Sequence, residues 1–124
     1  MSDHPNGSVN LIISDSGVAT VSFYHPAQNS LPANLLDELT QTIEEAGANT
    51  QTRVIILKSE GDRTFCAGAS FDEILAIKDK QAGAVFFSGF ANVINACRKS
   101  HKIIIGRVQG KAVGGGVGLA AAVD

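Results

Sequence analysis

The chain has 124 residues, 44% hydrophobic and 18% charged, which fits one domain with a real core and excludes global disorder. Ten Lys and Arg against twelve Asp and Glu give a net charge of −2. No dense basic block is present, so nucleic acid and anionic membranes are not expected as partners.

Val9 to Ile13 and Val18 to Phe23 are rich in β-branched residues and predict two strands. Asp15-Ser16-Gly17 between them is a turn signal, so the pair reads as a hairpin. After a loop from His25 to Pro32, Leu36, Leu39, Ile43 and Ala46 recur at helical spacing. They predict a helix from Asn34, as N-cap, to Ala46. Arg53 to Lys58 is a short apolar run expected of a strand buried on both faces. A glycine-containing loop, Ser59 to Ser70, follows. The next helix spans Asp79 to Arg98, with Phe86, Phe90, Val93 and Cys97 on one stripe. Ile103 to Val108 reads as another buried strand, Gly110 to Gly118 as a glycine-rich turn, and Leu119 to Val123 as the start of a helix. Strands alternating with helices predict an α/β fold with a largely parallel sheet. The last helix holds only a few residues before Asp124, fewer than an ordinary helix, so the sequence reads as cut short.

Cys66 and Cys97 lack CxxC spacing and a cluster of metal ligands. A metal site and a disulfide framework are therefore not expected, and a reducing cytoplasm fits. Met1 to Gly7 has neither a basic nor an apolar segment of a leader peptide. The apolar stretch Ala112 to Val123 is too short and too broken by glycine to span a bilayer.

Two loops carry the chemistry. Each follows a predicted buried strand, where open α/β sheets bind ligands. Phe65-Cys66-Ala67-Gly68-Ala69-Ser70-Phe71 is the first. Gly110-Lys111-Ala112-Val113-Gly114-Gly115-Gly116-Val117-Gly118-Leu119 is the second, and it runs into a helix start whose free N–H groups favour negative charge. Small residues let a ligand approach the backbone. One N–H from each loop, aimed at one point, would make an oxyanion hole.

Cys66-Ala67-Gly68-Ala69-Ser70-Phe71 resembles the AGAD-type motif of the crotonase (enoyl-CoA hydratase/isomerase) superfamily. The glycine triplet resembles that superfamily's second signature. The two together, at this separation, are far more specific than either alone. The resemblance implies a crotonase-like ββα spiral, here truncated, with residues 1–124 as the N-terminal part of a single domain. It implies acyl-CoA as substrate, no further cofactor, and assembly as a homotrimer or hexamer at full length. Carried over by motif position, Ala69 and Gly115 are the oxyanion-hole donors. Ala67, Gly68, Phe71 and Gly114, with Ala27 after the second strand, line the CoA and acyl site. A bulky Gly115→Val substitution is then the natural probe. The departures matter too. Hydratases of the superfamily carry a catalytic glutamate where this chain has Gly118, and a second acid beyond Asp124. Ser70 replaces the usual aspartate, and Lys102-Ile103 replaces a Lys-Pro pair.

Each feature also has a plainer reading. Glycines before a helix can serve tight packing alone. Gly116 to Ala121 fits a degenerate GxGxxA, but no strand and acid follow it as a dinucleotide site requires, and Lys111 is not in a Walker context. Cys66 reads as a small buried thiol rather than a nucleophile. His4, His25 and His101 are scattered. Asp72 and Glu73 read as an ordinary acidic helix start, and Phe86, Phe87 and Phe90 as core or subunit contact. Three readings result: an acyl-CoA hydratase or isomerase working through a thioester enolate, a catalytically inactive truncated CoA-thioester-binding or accessory chain, and a Rossmann-type oxidoreductase fragment that binds NAD.

Overall fold

The computed structural model describes residues 4–124, so Met1, Ser2 and Asp3 of the leader reading lie outside the described residues. Strands β1 (Ser8–Ile13) and β2 (Val18–Tyr24) form the expected antiparallel hairpin. Its turn closes where the Gly17 N–H donates to the Ser14 carbonyl at 3.0 Å. Helix α1 (Ala33–Ala48) then crosses over and delivers β3 (Val54–Ser59) parallel to β2. Helix α3 (Lys80–Lys99) repeats the crossover and delivers β5 (Ile104–Arg107) parallel to β3. The sheet order is β1-β2-β3-β5, mostly parallel as predicted.

Alternation decides what the sheet buries. Ala19, Val21 and Phe23 of β2, Ile55 and Leu57 of β3, and Ile104 of β5 face one core with Leu35, Leu36, Leu39 and Ile43 of α1. The predicted α3 stripe meets them there through Phe90, Val93 and Cys97. One cap and two burial expectations need correction. Asn34 is not the cap of α1: Pro32 is, with no side-chain hydrogen bond. Neither β3 nor β5 is buried on both faces. Val54, Ile56 and Lys58 are half-buried, and in β5 only Ile104 is fully enclosed while Ile105 is 53% exposed. The reason is geometric, since the helices α1 and α3 share a single core with the sheet and β5 lies at its edge among the described residues.

A smaller layer sits beyond the ends of these strands. Within the predicted loop, β4 (Thr64–Cys66) pairs in parallel with β6 (Lys111–Ala112). Short helices α2 (Phe71–Ala76) and α4 (Gly115–Ala121) follow them. Helix α4 thus begins four residues earlier than the periodicity suggests, inside the glycine run. Phe65 of β4 packs edge-on against Phe23, with ring centroids 5.4 Å apart, and joins this layer to the main core. Buried Asn29 joins them by hydrogen bonds: its side-chain amide donates to the Glu60 and Thr64 carbonyls at 2.8 and 2.9 Å.

Candidate functional site

The two glycine-containing loops meet because β4 and β6 are paired. The Val113 N–H donates to the Cys66 carbonyl at 3.0 Å, which carries the pairing one residue further. Directly beyond this contact the chain turns at Gly68, whose φ of +90° is costly for any side chain. A Cβ at Gly68 would lie 2.8 Å from the Val113 carbonyl and 3.3 Å from the Gly115 nitrogen. The backbones around Gly68 and Gly115 therefore approach with no room for a side chain between them.

The three glycines of the triplet serve different needs. Gly114 turns the chain with φ +57° and ψ −126°, a conformation that strains any side chain. A Cβ on Gly115 would strike the Phe90 ring at 2.6 Å, so this glycine lets α4 settle on α3. A Cβ on Gly116 would lie 2.3 Å from the Cys66 carbonyl oxygen, so this one lets α4 settle on β4.

Both amides singled out in the sequence sit on anchored peptide groups. The carbonyl of Gly68 accepts from the Leu31 N–H at 2.8 Å, and that of Gly114 accepts from the Val117 N–H at 3.0 Å. A trans peptide holds C=O and N–H antiparallel in one plane, and no peptide among the described residues is cis. Each carbonyl bond thus fixes the direction of the amide at the other end of the same peptide, which is Ala69 in one case and Gly115 in the other. Accepting a hydrogen bond at the carbonyl also polarises that N–H. Among the described residues, neither amide is a donor in the hydrogen bonds that hold these loops, turns and caps.

The remaining predicted site residues are spread around this point. Ala67 is half-buried beside Gly68. Phe71 opens α2 and is 71% exposed. Ala27 is exposed in the loop after β2, where its N–H donates to His25 Nδ1 at 3.0 Å. That loop is tied by Asn29 to the Glu60–Thr64 segment rather than to the glycine triplet. Tyr24, Gln28, Asn29, Glu60 and Arg63 line a shallow cleft there. The two larger grooves run along α1 and α3, lined by residues such as Asp37, Val85, Glu44 and Lys99, and neither includes Ala69 or Gly115.

Ser70 caps α2, its hydroxyl accepting from the Glu73 N–H at 3.5 Å. Serine and aspartate are both good caps, so the departure from the family's aspartate keeps the local structure. Glu73 is not aimed at the two amides. Both of its carboxylate oxygens accept from the Ala33 N–H, at 2.9 and 3.1 Å. Gly118 offers no functional group, and a Cβ there would point at Ile94 Cδ1, 3.2 Å away. The Asp124 carboxylate accepts from the Ile104 N–H at 2.9 Å, at the start of β5. Among the described residues, no group of three or more His, Cys, Asp or Glu could hold a metal ion, and no helix is long and apolar enough to cross a membrane.

Both thiols are buried. Burial pushes Cys66 from the ordinary 9.0 up to about 11, partly offset by the Gly68 N–H, which donates to its sulfur at 3.4 Å. Burial and then the negative charge of Asp124 push Cys97 to about 11 as well. The fold thus favours the neutral thiols. This contribution to stability is complete below pH 9 and is lost as pH rises through about 11. At pH 8 only about one native thiol in a thousand is ionised, against about one in ten unfolded, so native alkylation by iodoacetamide should be roughly a hundredfold slower. Equal rates in the native and urea-unfolded chain would remove the buried-thiol assignment.

The same architecture occurs in known proteins. A model of the enoyl-CoA hydratase/isomerase family matches residues 14–124. An ethylmalonyl-CoA decarboxylase of Xenopus laevis is 29% identical over 119 residues, which cover 95% of this chain and 40% of that protein. A mitochondrial methylglutaconyl-CoA hydratase of Mus musculus is 34% identical over 97 residues, covering 78% of this chain and 31% of that one. The crystal structure of an enoyl-CoA hydratase from Bacillus anthracis superposes with a TM-score of 0.85 at 27% identity, over 94% of this chain and 45% of that one. The chain thus spans less than half the length of the relatives it matches.

Proposed function

The chain belongs to the enoyl-CoA hydratase/isomerase family, and from that premise we propose that the Ala69 and Gly115 amides form an oxyanion hole for the carbonyl of an acyl-CoA thioester. The observation that carries this reading is the contact of the two loops at Gly68 and Gly115, with each proposed donor on an anchored peptide.

The chemistry follows from where charge develops. Water adding to the β-carbon of an α,β-enoyl thioester, or loss of an α-proton from a β,γ-enoyl thioester, sends an electron pair onto the thioester oxygen. Two preset N–H donors stabilise that enolate without reorganisation, each contributing about 3–4 kcal/mol in comparable sites. Protonation at the α-carbon then completes hydration, and protonation at the γ-carbon completes isomerisation. The acid/base that moves the proton is not Gly118, while Glu73 is engaged with Ala33 and Asp124 with Ile104. In this reading residues 1–124 are the N-terminal part of a single crotonase-like domain, and the acid/base comes from the part that the relatives have in addition. The full-length assembly is a cytoplasmic homotrimer or hexamer. Ala67, Gly68, Gly114, Phe71 and Ala27 line the path of the acyl-CoA.

Gly118 favours a second reading, in which these 124 residues bind and polarise a thioester without turning it over. One titration serves both. A cinnamoyl-CoA thioester with a para-dimethylamino group absorbs further to the red when its carbonyl is polarised. The chain is expected to bind it with a clear red shift and to leave crotonyl-CoA unhydrated. Binding with no shift would remove the oxyanion hole, and hydration of crotonyl-CoA would remove the second reading.

A further inference from the structure

We propose that Glu73 is a positioning residue for the Ala69 amide, acting through the segment Leu31 to Ala33. The proposal rests on the reading of that amide as a thioester-oxygen donor.

Helix α1 begins without a cap of its own. Pro32 has neither an N–H nor a polar side chain, and no acidic residue lies in the first turn. The Pro32 carbonyl accepts from Leu35 and Leu36, but the Ala33 amide is left without an intrahelical partner. Glu73, forty residues away, supplies the acceptor with both carboxylate oxygens. Its charge also sits at the positive end of a 16-residue helix.

Two residues before Ala33, Leu31 is fully buried and forms a parallel bridge with Ala69. Its N–H holds the Gly68 carbonyl at 2.8 Å. The segment 31–33 therefore grips the loop on both sides of Ala69, at Gly68 through Leu31 and at Glu73 through Ala33. Glu73 is itself placed with respect to Ala69, because Ser70 starts α2 through its hydroxyl and through its carbonyl, which accepts from Ile74 at 3.1 Å. If the Glu73 bond is removed, residues 31–33 keep only the ties made through Leu31. The Leu31–Gly68 bond can then tilt, and the planar peptide transmits that tilt to the Ala69 N–H. A carboxylate at this place in the loop thus acts on the direction of a donor it does not touch.

The test compares Glu73→Ala and Glu73→Gln with the unaltered chain, using the dimethylaminocinnamoyl-CoA probe. Saturating red shift reads the direction of the donors, and Kd reads binding. Glu73→Ala should reduce the shift by about half, the share of one of two donors, with Kd changed by less than about threefold. Glu73→Gln keeps an amide oxygen for Ala33 and should retain most of the shift. Independently of any ligand, amide exchange at Leu31 should quicken by about tenfold in Glu73→Ala, the loss of one hydrogen bond's worth of protection. A full shift in Glu73→Ala, or unchanged exchange at Leu31, overturns the proposal and leaves the oxyanion hole intact. Binding without any shift in the unaltered chain overturns the hole, and the proposal with it.

Discussion

Gly68→Ala is expected to abolish the red shift of a bound chromophoric thioester and to destabilise the fold by about 3 kcal/mol. Two costs add. At φ +90° an alanine is strained by about 1–2 kcal/mol. Its methyl group would also sit 2.8 Å from the Val113 carbonyl, a backbone atom that cannot rotate aside. Val113 is in turn held to Cys66 by its own N–H. The relief available is separation of the two loops, which moves Ala69 away from Gly115. A misplacement of about 1 Å at such a site costs on the order of a hundredfold in rate. Urea unfolding and the probe titration measure the two effects separately. A stable Gly68→Ala chain with an undiminished shift would show that the two amides do not act on one oxygen.

The glycine triplet supplies the second large effect, through a ranking rather than one value. Gly116→Ala should be the most damaging. Its Cβ would lie 2.3 Å from the carbonyl oxygen of buried Cys66, so α4 must lift off β4, at a cost of about 3 kcal/mol or more. Gly114→Ala meets nothing within 4 Å and bears only backbone strain, about 1–3 kcal/mol. Gly115→Ala presses on the Phe90 ring, which can tilt, and should fall between them. Thermal or urea midpoints of the three variants check the order. A Gly116→Ala midpoint equal to that of Gly114→Ala would mean that α4 does not pack on β4 as described. The same geometry makes Gly115→Val a poor probe of the hole, since the larger side chain meets Phe90 before any ligand.

Several elements were legible from local signals. The hairpin shows in Val18 to Phe23 and the Asp15-Ser16-Gly17 turn, and α1 and α3 show in stripes that the core does bury. Helix α2 was not legible, because its six residues include Phe71 and Leu75, which stay exposed and carry no periodic pattern. Strands β4 and β6 have three and two residues. Such short segments have no propensity of their own and exist only because each pairs with the other. Asn34 looked like a cap because its side chain suits the role, yet α1 starts earlier and takes its acceptor from Glu73.

The sequence by itself determined the α/β class, the order of elements, the two glycine-bearing loops and the absence of an acid at position 118. These follow from residue type and spacing within one segment, which act through short-range sterics and periodic burial. Only the tertiary structure decided that Gly68 and Gly115 meet, that Glu73 turns to Ala33 rather than toward the two amides, and that β5 is covered on one face alone. Those outcomes depend on pairs some forty residues or more apart along the chain. Their relative positions come from strand pairing and helix packing, which no local pattern encodes.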